Sequence, residues 1–179
     1  MNKHIALLLL LVASLLLAGC KSMSPTECKV ADWGRVGHTD GTRGYSDSRI
    51  ADYTKDCGKV GVVPNPQLYR YGWDQGIVNF CTPANGWREG LQGNFGKASV
   101  CQGQSGFSDF SLYMEVGLQV HNTQAQMQRN ARESERLQRR LEESKNDEEK
   151  KNLRNELRYI DREQFRLRSQ LTHQQMLGP

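Results

Sequence analysis

The stretch LQRRLEESKNDEEKKNLRNEL, residues 137–157, decides how the chain is read. Leu137 and Leu141 belong to a stripe that starts at Val116 and steps by fours and threes. It passes Val120, Thr123, Met127, Asn130 and Ser134 before Leu137, and it ends at Ser144. Leu153 and Leu157 open a second stripe, continued by Ile160, Gln164, Leu167 and Leu171. Such steps put residues on one face of a helix, as in a coiled coil. The two stripes do not share a frame. Between them, Asn146 suits a helix N-cap and Glu149 stands at the capping-box position. Asp147, Glu148 and Glu149 also favour a helix N-terminus through its dipole. The spacing predicts an antiparallel helical hairpin turning near Asn146, with one continuous helix carrying a heptad skip as the alternative.

The first stripe is polar at Thr123, Asn130 and Ser134. A seam of that kind specifies register more than it stabilises, so the first tail helix is expected to draw extra stability from a partner or from the head. Charges of both signs are interspersed along this tail, the pattern of a solvated face with i,i+4 pairs. There is no basic stripe, and no nucleic-acid partner is expected.

Upstream of Phe107 the composition changes to Gly, Trp, Tyr and Cys. Residues 28–106 read as a compact head and 107–177 as the tail, with residues 20–27 as a short tether. Three segments of the head share a pattern: Gly37-His38-Thr39-Asp40-Gly41 followed by Gly44, Gly72-Trp73-Asp74-Gln75-Gly76, and Gly86-Trp87-Arg88-Glu89-Gly90 followed by Gly93. Glycine costs about 1 kcal/mol in a helix relative to Ala. Glycines four apart on one face repay that cost by letting another backbone approach closely. These eight glycines are expected to be helix contacts. Hairpins resembling the glycine-aromatic repeats of MORN motifs are the rival, but the strand-like alternation is missing. Thr82-Pro83, an N-cap followed by Pro at the first helical position, opens a helix.

Cys28, Cys57, Cys81 and Cys101 form an even set confined to the head. No two lie at the two-to-four-residue spacing of zinc ligand pairs, and there is no Cys-x-x-Cys. Two disulfides are expected, out of three possible pairings. If the head begins with a hairpin of two helices, Cys28 meets Cys57, and Cys81 meets Cys101 by the same logic.

At the other end, Lys3 precedes an apolar run from Ile5 to Leu17 that closes on Leu17-Ala18-Gly19-Cys20. A charged start, a short apolar core and small residues mark a secretory signal peptide, here residues 1–19. The run falls short of the roughly 20 residues of a membrane span. Its last four residues look like a lipobox, with Cys20 the lipidated residue. Two or more acyl chains, at roughly 0.8 kcal/mol per buried methylene, give stable anchoring. Export also explains disulfides, which persist in oxidising compartments. Lys21 is not the Asp that resembles an inner-membrane retention signal, so the outer membrane, facing the periplasm, is the expected address.

No constellation points to an enzyme, a metal or a cofactor. Asp32, Asp40, Asp74 and Glu89 are candidate paired carboxylates for sugar hydrolysis, although caps or pairs with Arg35, Arg43 and Arg88 account for them more simply. His38 is the one head histidine, with His121 and His173 on the tail, and none accompanies a nucleophile motif. Trp33, Trp73 and Trp87 are a candidate platform for envelope glycans, against core packing as the simpler role.

Asp32-Trp33 with Gly37-x-x-Asp40-Gly41-x-x-Gly44 and Cys57 resembles the bacterial lipoproteins grouped as domain of unknown function 2799. Tyr69-x-x-Gly72-Trp73-x-x-Gly76 leading to Phe80-Cys81-Thr82, and Gly86-x-x-x-Gly90-x-x-Gly93 leading to Cys101, complete the resemblance, which runs from about Cys20 to Leu118. Phe95 stands where a Tyr is expected. The resemblance implies an envelope lipoprotein and no particular activity. The expectation is therefore a mainly α protein, a small disulfide-linked glycine-rich helical head followed by a long coiled-coil-like hairpin tail. It is held to the membrane by its lipid and acts as a structural or interaction element, with a protein partner met through the tail. A glycan-binding module is the alternative and an envelope hydrolase a distant third.

Overall fold

A computed structural model describes residues 22–179; the expected signal peptide and Cys20 lie outside the described residues. Among those residues the fold is mainly α, without strands. The helices are α1 Pro25–Val30, α2 Trp33–Thr42, α3 Ile50–Gly58, α4 Pro66–Phe80, α5 Pro83–Leu91, α6 Phe107–Glu143 and α7 Asp147–Gln175, with 3-10 turns at Asp47–Arg49 and Phe95–Cys101.

Local chemistry sets the helix starts. Ser24, Asp32, Asn65, Thr82 and Asn146 each accept a backbone N–H of the following turn, and Pro opens α1, α4 and α5. Ser24 and Glu27 form a reciprocal capping box. For that reason the expected tether of residues 20–27 is, from Ser22 onward, part of the head. The Ser22 N–H and hydroxyl both donate to Asp56 (2.8 and 2.9 Å), and Met23 packs on the core.

Two helix pairs carry the head, and both are parallel. In the first, α2 lies on α4. A Cβ on Gly37 would sit 2.0 Å from the Tyr69 carbonyl oxygen, one on Gly72 1.8 Å from that of Gly34, and one on Gly76 2.1 Å from that of His38. In the second, α5 lies on the start of α6: a Cβ on Gly86 would meet the Phe110 carbonyl at 2.1 Å, and one on Gly90 that of Met114 at 2.2 Å. Gly117 returns the contact against Trp87. No side chain fits in these seams, so glycine is required by space. Gly44 and Gly93 differ from the expectation of helical contacts. Each follows its helix with positive φ (64° and 78°), and each closes it as a Schellman cap: Gly44 N–H to Gly41, Tyr45 N–H to Asp40, and equivalently Gly93 to Gly90 and Asn94 to Glu89.

The disulfides are Cys28–Cys57 and Cys81–Cys101. The route to the first is not the expected two-helix hairpin. It joins α1 to the end of α3, while α2 passes over α3 to its partner α4. In the chain-entropy picture, loops of 29 and 20 residues make each bridge worth about 3–4 kcal/mol. One core unites both pairs. Phe80 of α4 packs on Phe110 of α6 with centroids 5.4 Å apart, and Lys97 donates to the Gly44 carbonyl at 2.8 Å.

The tail is a hairpin, α6 against α7, turning at Ser144–Asn146. Asn146 accepts from the Glu148 and Glu149 N–H groups. The Glu149 carboxylate does not reach back to Asn146; it takes Ser144 and Arg140. The residues of both predicted stripes are buried or half-buried, with Val120, Thr123, Leu137, Leu153 and Leu167 buried. The composition boundary at Phe107 is the first residue of α6, yet the first turns of α6 belong to the head core through Phe110 and Met114.

Candidate functional site

The candidate site forms where α1, α2 and α3 meet. α2 is short and glycine-faced, so one side sits flat on α4 and the other is free to line a cleft of about 380 Å³. Glu27, Val30 and Ala31 from α1 and its exit form one wall, and Asp32, Arg35, Val36, Thr39, Asp40 and Arg43 form the other. Met23 and Tyr53 complete the lining.

Asp40 is 4% exposed. Its Oδ2 accepts the Tyr69 hydroxyl at 2.8 Å and the Tyr53 hydroxyl at 2.9 Å, and the Arg49 Nε lies 3.6 Å away. Arg49 in turn donates to the Tyr53 oxygen and lies over the Tyr45 ring at 4.0 Å. Burial pushes the Tyr69 phenol far above its usual range, and the Asp40 charge beside it adds to the shift. Burial raises Tyr53 as well. Both phenols therefore donate at neutral pH, the arrangement a buried carboxylate needs.

The four candidate carboxylates part company. Asp32 caps α2 and, with Asp40, lines the cleft. Asp74 pairs with Arg70 on the surface of α4, and Glu89 is buried beside Asn94 in the second helix pair. The simple pairing with Arg35, Arg43 and Arg88 does not occur. Asp40 has Arg49 nearby, and Arg88 bonds Asn85. Charge order along the chain does not encode these pairs, because Arg49, Tyr53 and Tyr69 reach Asp40 only through packing.

The tryptophans do not gather. Trp33 and Trp73 are core residues, with the Trp73 indole N–H on the Tyr45 carbonyl, and Trp87 lies half-buried under Gly178. His38 is exposed, and His121 is tied to the Leu91 carbonyl at 3.0 Å. Phe95 stands on the surface, 73% exposed. Among the described residues no cluster of His, Cys, Asp and Glu is arranged to hold a metal ion, and no helix is long and apolar enough to cross a membrane. Tyr53, Tyr69, Arg49 and Glu27 were invisible as site residues in the sequence.

Two parallel glycine-packed pairs, two disulfides and an appended hairpin define a class of small helical domain. Residues 32–119, which hold both glycine-packed pairs, match the family model described as protein of unknown function (DUF2799), and this stretch is a domain of that family. No curated protein and no solved structure matches the chain.

Proposed function

We propose that the chain is an envelope lipoprotein, anchored through Cys20 to the periplasmic face of the outer membrane, which presents the hairpin of α6 and α7 as an interaction arm. The observation that carries this reading is the arm itself. α6 has 37 residues, about 55 Å at the helical rise, and α7 packs along it rather than on the head. The outer faces carry charges of both signs together with Tyr159 (64% exposed) and Phe165 (75% exposed). The head supplies a rigid base, stapled by its disulfides. Ser22, two residues from the proposed anchor, is fixed to it through Asp56.

Photo-crosslinking residues placed at 159 and 165 in intact cells test the arm. A discrete adduct from these positions, missing from crosslinkers placed on the head, is expected. Silence from every arm position in a folded, membrane-bound protein contradicts the reading. Glycan binding by the head has less support, since Trp33, Trp73 and Trp87 share no surface; retention on purified peptidoglycan is its test.

A further inference from the structure

The cleft between α1 and α2 holds both signs of charge, and the Asp40 carboxylate that lines it uses only one of its two oxygens within the fold. Every hydrogen bond that the Asp40 carboxylate accepts from the described residues falls on Oδ2. Oδ1 receives none, although the side chain is only 6% exposed and lines the cleft. Oδ1 is not one of the buried unpartnered atoms of the described residues, so it keeps access to the cleft, and a donor arriving there can replace water on it. An ammonium is such a donor, and the two neighbouring hydroxyls already spend theirs on Oδ2. Asp32 lies on the same wall one turn before Val36, itself one turn before Asp40.

Arg35, Thr39 and Arg43 form the adjacent row of α2, four residues apart, and all three line the cleft. Neither arginine has an ion pair among the described residues. Guanidinium groups fit phosphate oxygens in a fork, which makes Arg the residue of planar anion recognition. One cleft therefore offers an anion site and a cation site side by side. Val30, 79% exposed, stands at its rim.

Location supplies the source of the ligand. Met23 lines the cleft and stands three positions after Cys20, a reach of at most about 10 Å. A chain anchored at Cys20 thus carries the cleft at the level of the lipid headgroups, a step that rests on the anchoring proposed above.

We propose that this cleft binds a phosphoethanolamine-type zwitterion, the headgroup of a lipid in the anchoring bilayer, with its phosphate on Arg35 and Arg43 and its ammonium on Asp40 Oδ1. A trimethylated ammonium has no N–H to give and is rejected.

The test uses the full chain, purified in detergent and titrated with water-soluble glycerophosphoethanolamine, glycerophosphocholine, inorganic phosphate or ethanolamine. The amides of α2 are followed by NMR. Glycerophosphoethanolamine is expected to shift Arg35, Thr39 and Arg43 saturably, and the other three to bind at least about tenfold more weakly. Arg35→Gln with Arg43→Gln, both exposed and outside the core, is expected to lose at least about tenfold in affinity while its thermal melt is unchanged. If that variant fails to fold, the wild-type shift map decides alone. Equal binding of phosphate or of glycerophosphocholine, or no saturable shift on α2, overturns the zwitterion.

The source is tested in nanodiscs. Phosphatidylethanolamine discs should reproduce the α2 shifts and pure phosphatidylcholine discs should not. Shifts produced by the soluble headgroup but absent in phosphatidylethanolamine discs overturn the lipid source. An unlipidated Cys20 in cells together with intact headgroup binding would sink the anchoring reading and leave the cleft standing.

Discussion

Asp40 is the residue whose environment makes the strongest demands. A carboxylate this buried has to be held by donors, and Tyr53 and Tyr69 serve only while protonated. Burial, with the hydrogen bond to Asp40 second, raises the folded-state pKa of Tyr69 above the ordinary phenol value of about 10. The folded chain then keeps a proton that the unfolded chain loses above that pH. The stabilisation is whole below about pH 10 and drains away as pH climbs beyond it. An ultraviolet titration should show Tyr53 and Tyr69 ionising only in step with loss of the circular-dichroism signal. Early, reversible ionisation of these two would contradict the network. Tyr69→Phe removes one donor from a buried charge and is expected to cost about 2–3 kcal/mol in a urea melt.

At the scale of the element, the glycine rows separate crowding from propensity. Gly72→Ala would drive a methyl group into the Gly34 carbonyl at 1.8 Å, whereas Gly58 has nothing within 4 Å of the same atom. The first substitution is expected to cost at least about 3 kcal/mol, the second to be neutral or stabilising by up to about 1 kcal/mol. Equal effects in urea melts would show that the helices do not touch as described. In the hairpin, Asn130 Nδ2 and Gln164 Oε1 are buried without a partner. Asn130→Leu together with Gln164→Leu should stabilise the chain by about 1–2 kcal/mol, read as added hydrogen-exchange protection in α7. A loss would mean that a third element satisfies these atoms. Both helices and the turn of this hairpin were legible in the sequence, because steps of three and four from Val116 to Leu171 and the cap at Asn146 are local signals. Gly37, Gly72 and Gly86 announced close-packed faces in the same way. Which face meets which was not legible: a glycine row encodes a surface and not its partner, and α2 reaches past α3 to α4. Asp40 was legible as a candidate, but Tyr53 and Tyr69, 13 and 29 residues away, join it only through that long-range pairing.

The whole molecule reads as a stapled base with an arm. Two disulfides and one continuous core hold the base, so its geometry is passed on to α6, which begins inside the core at Phe110 and continues into the hairpin. The chain enters the base at Ser22, beside the cleft, while the turn of the hairpin lies at the far end of α6 and α7. In the proposed reading this body is fixed at one end, and the cleft meets headgroups only if that end is Cys20. Tandem mass spectrometry of the protein extracted from cells tests this directly. The prediction is an amino-terminal peptide that begins at Cys20 and carries the mass of a diacylglyceryl group and a further acyl chain; a peptide retaining residues 1–19, or an unmodified Cys20, would contradict it.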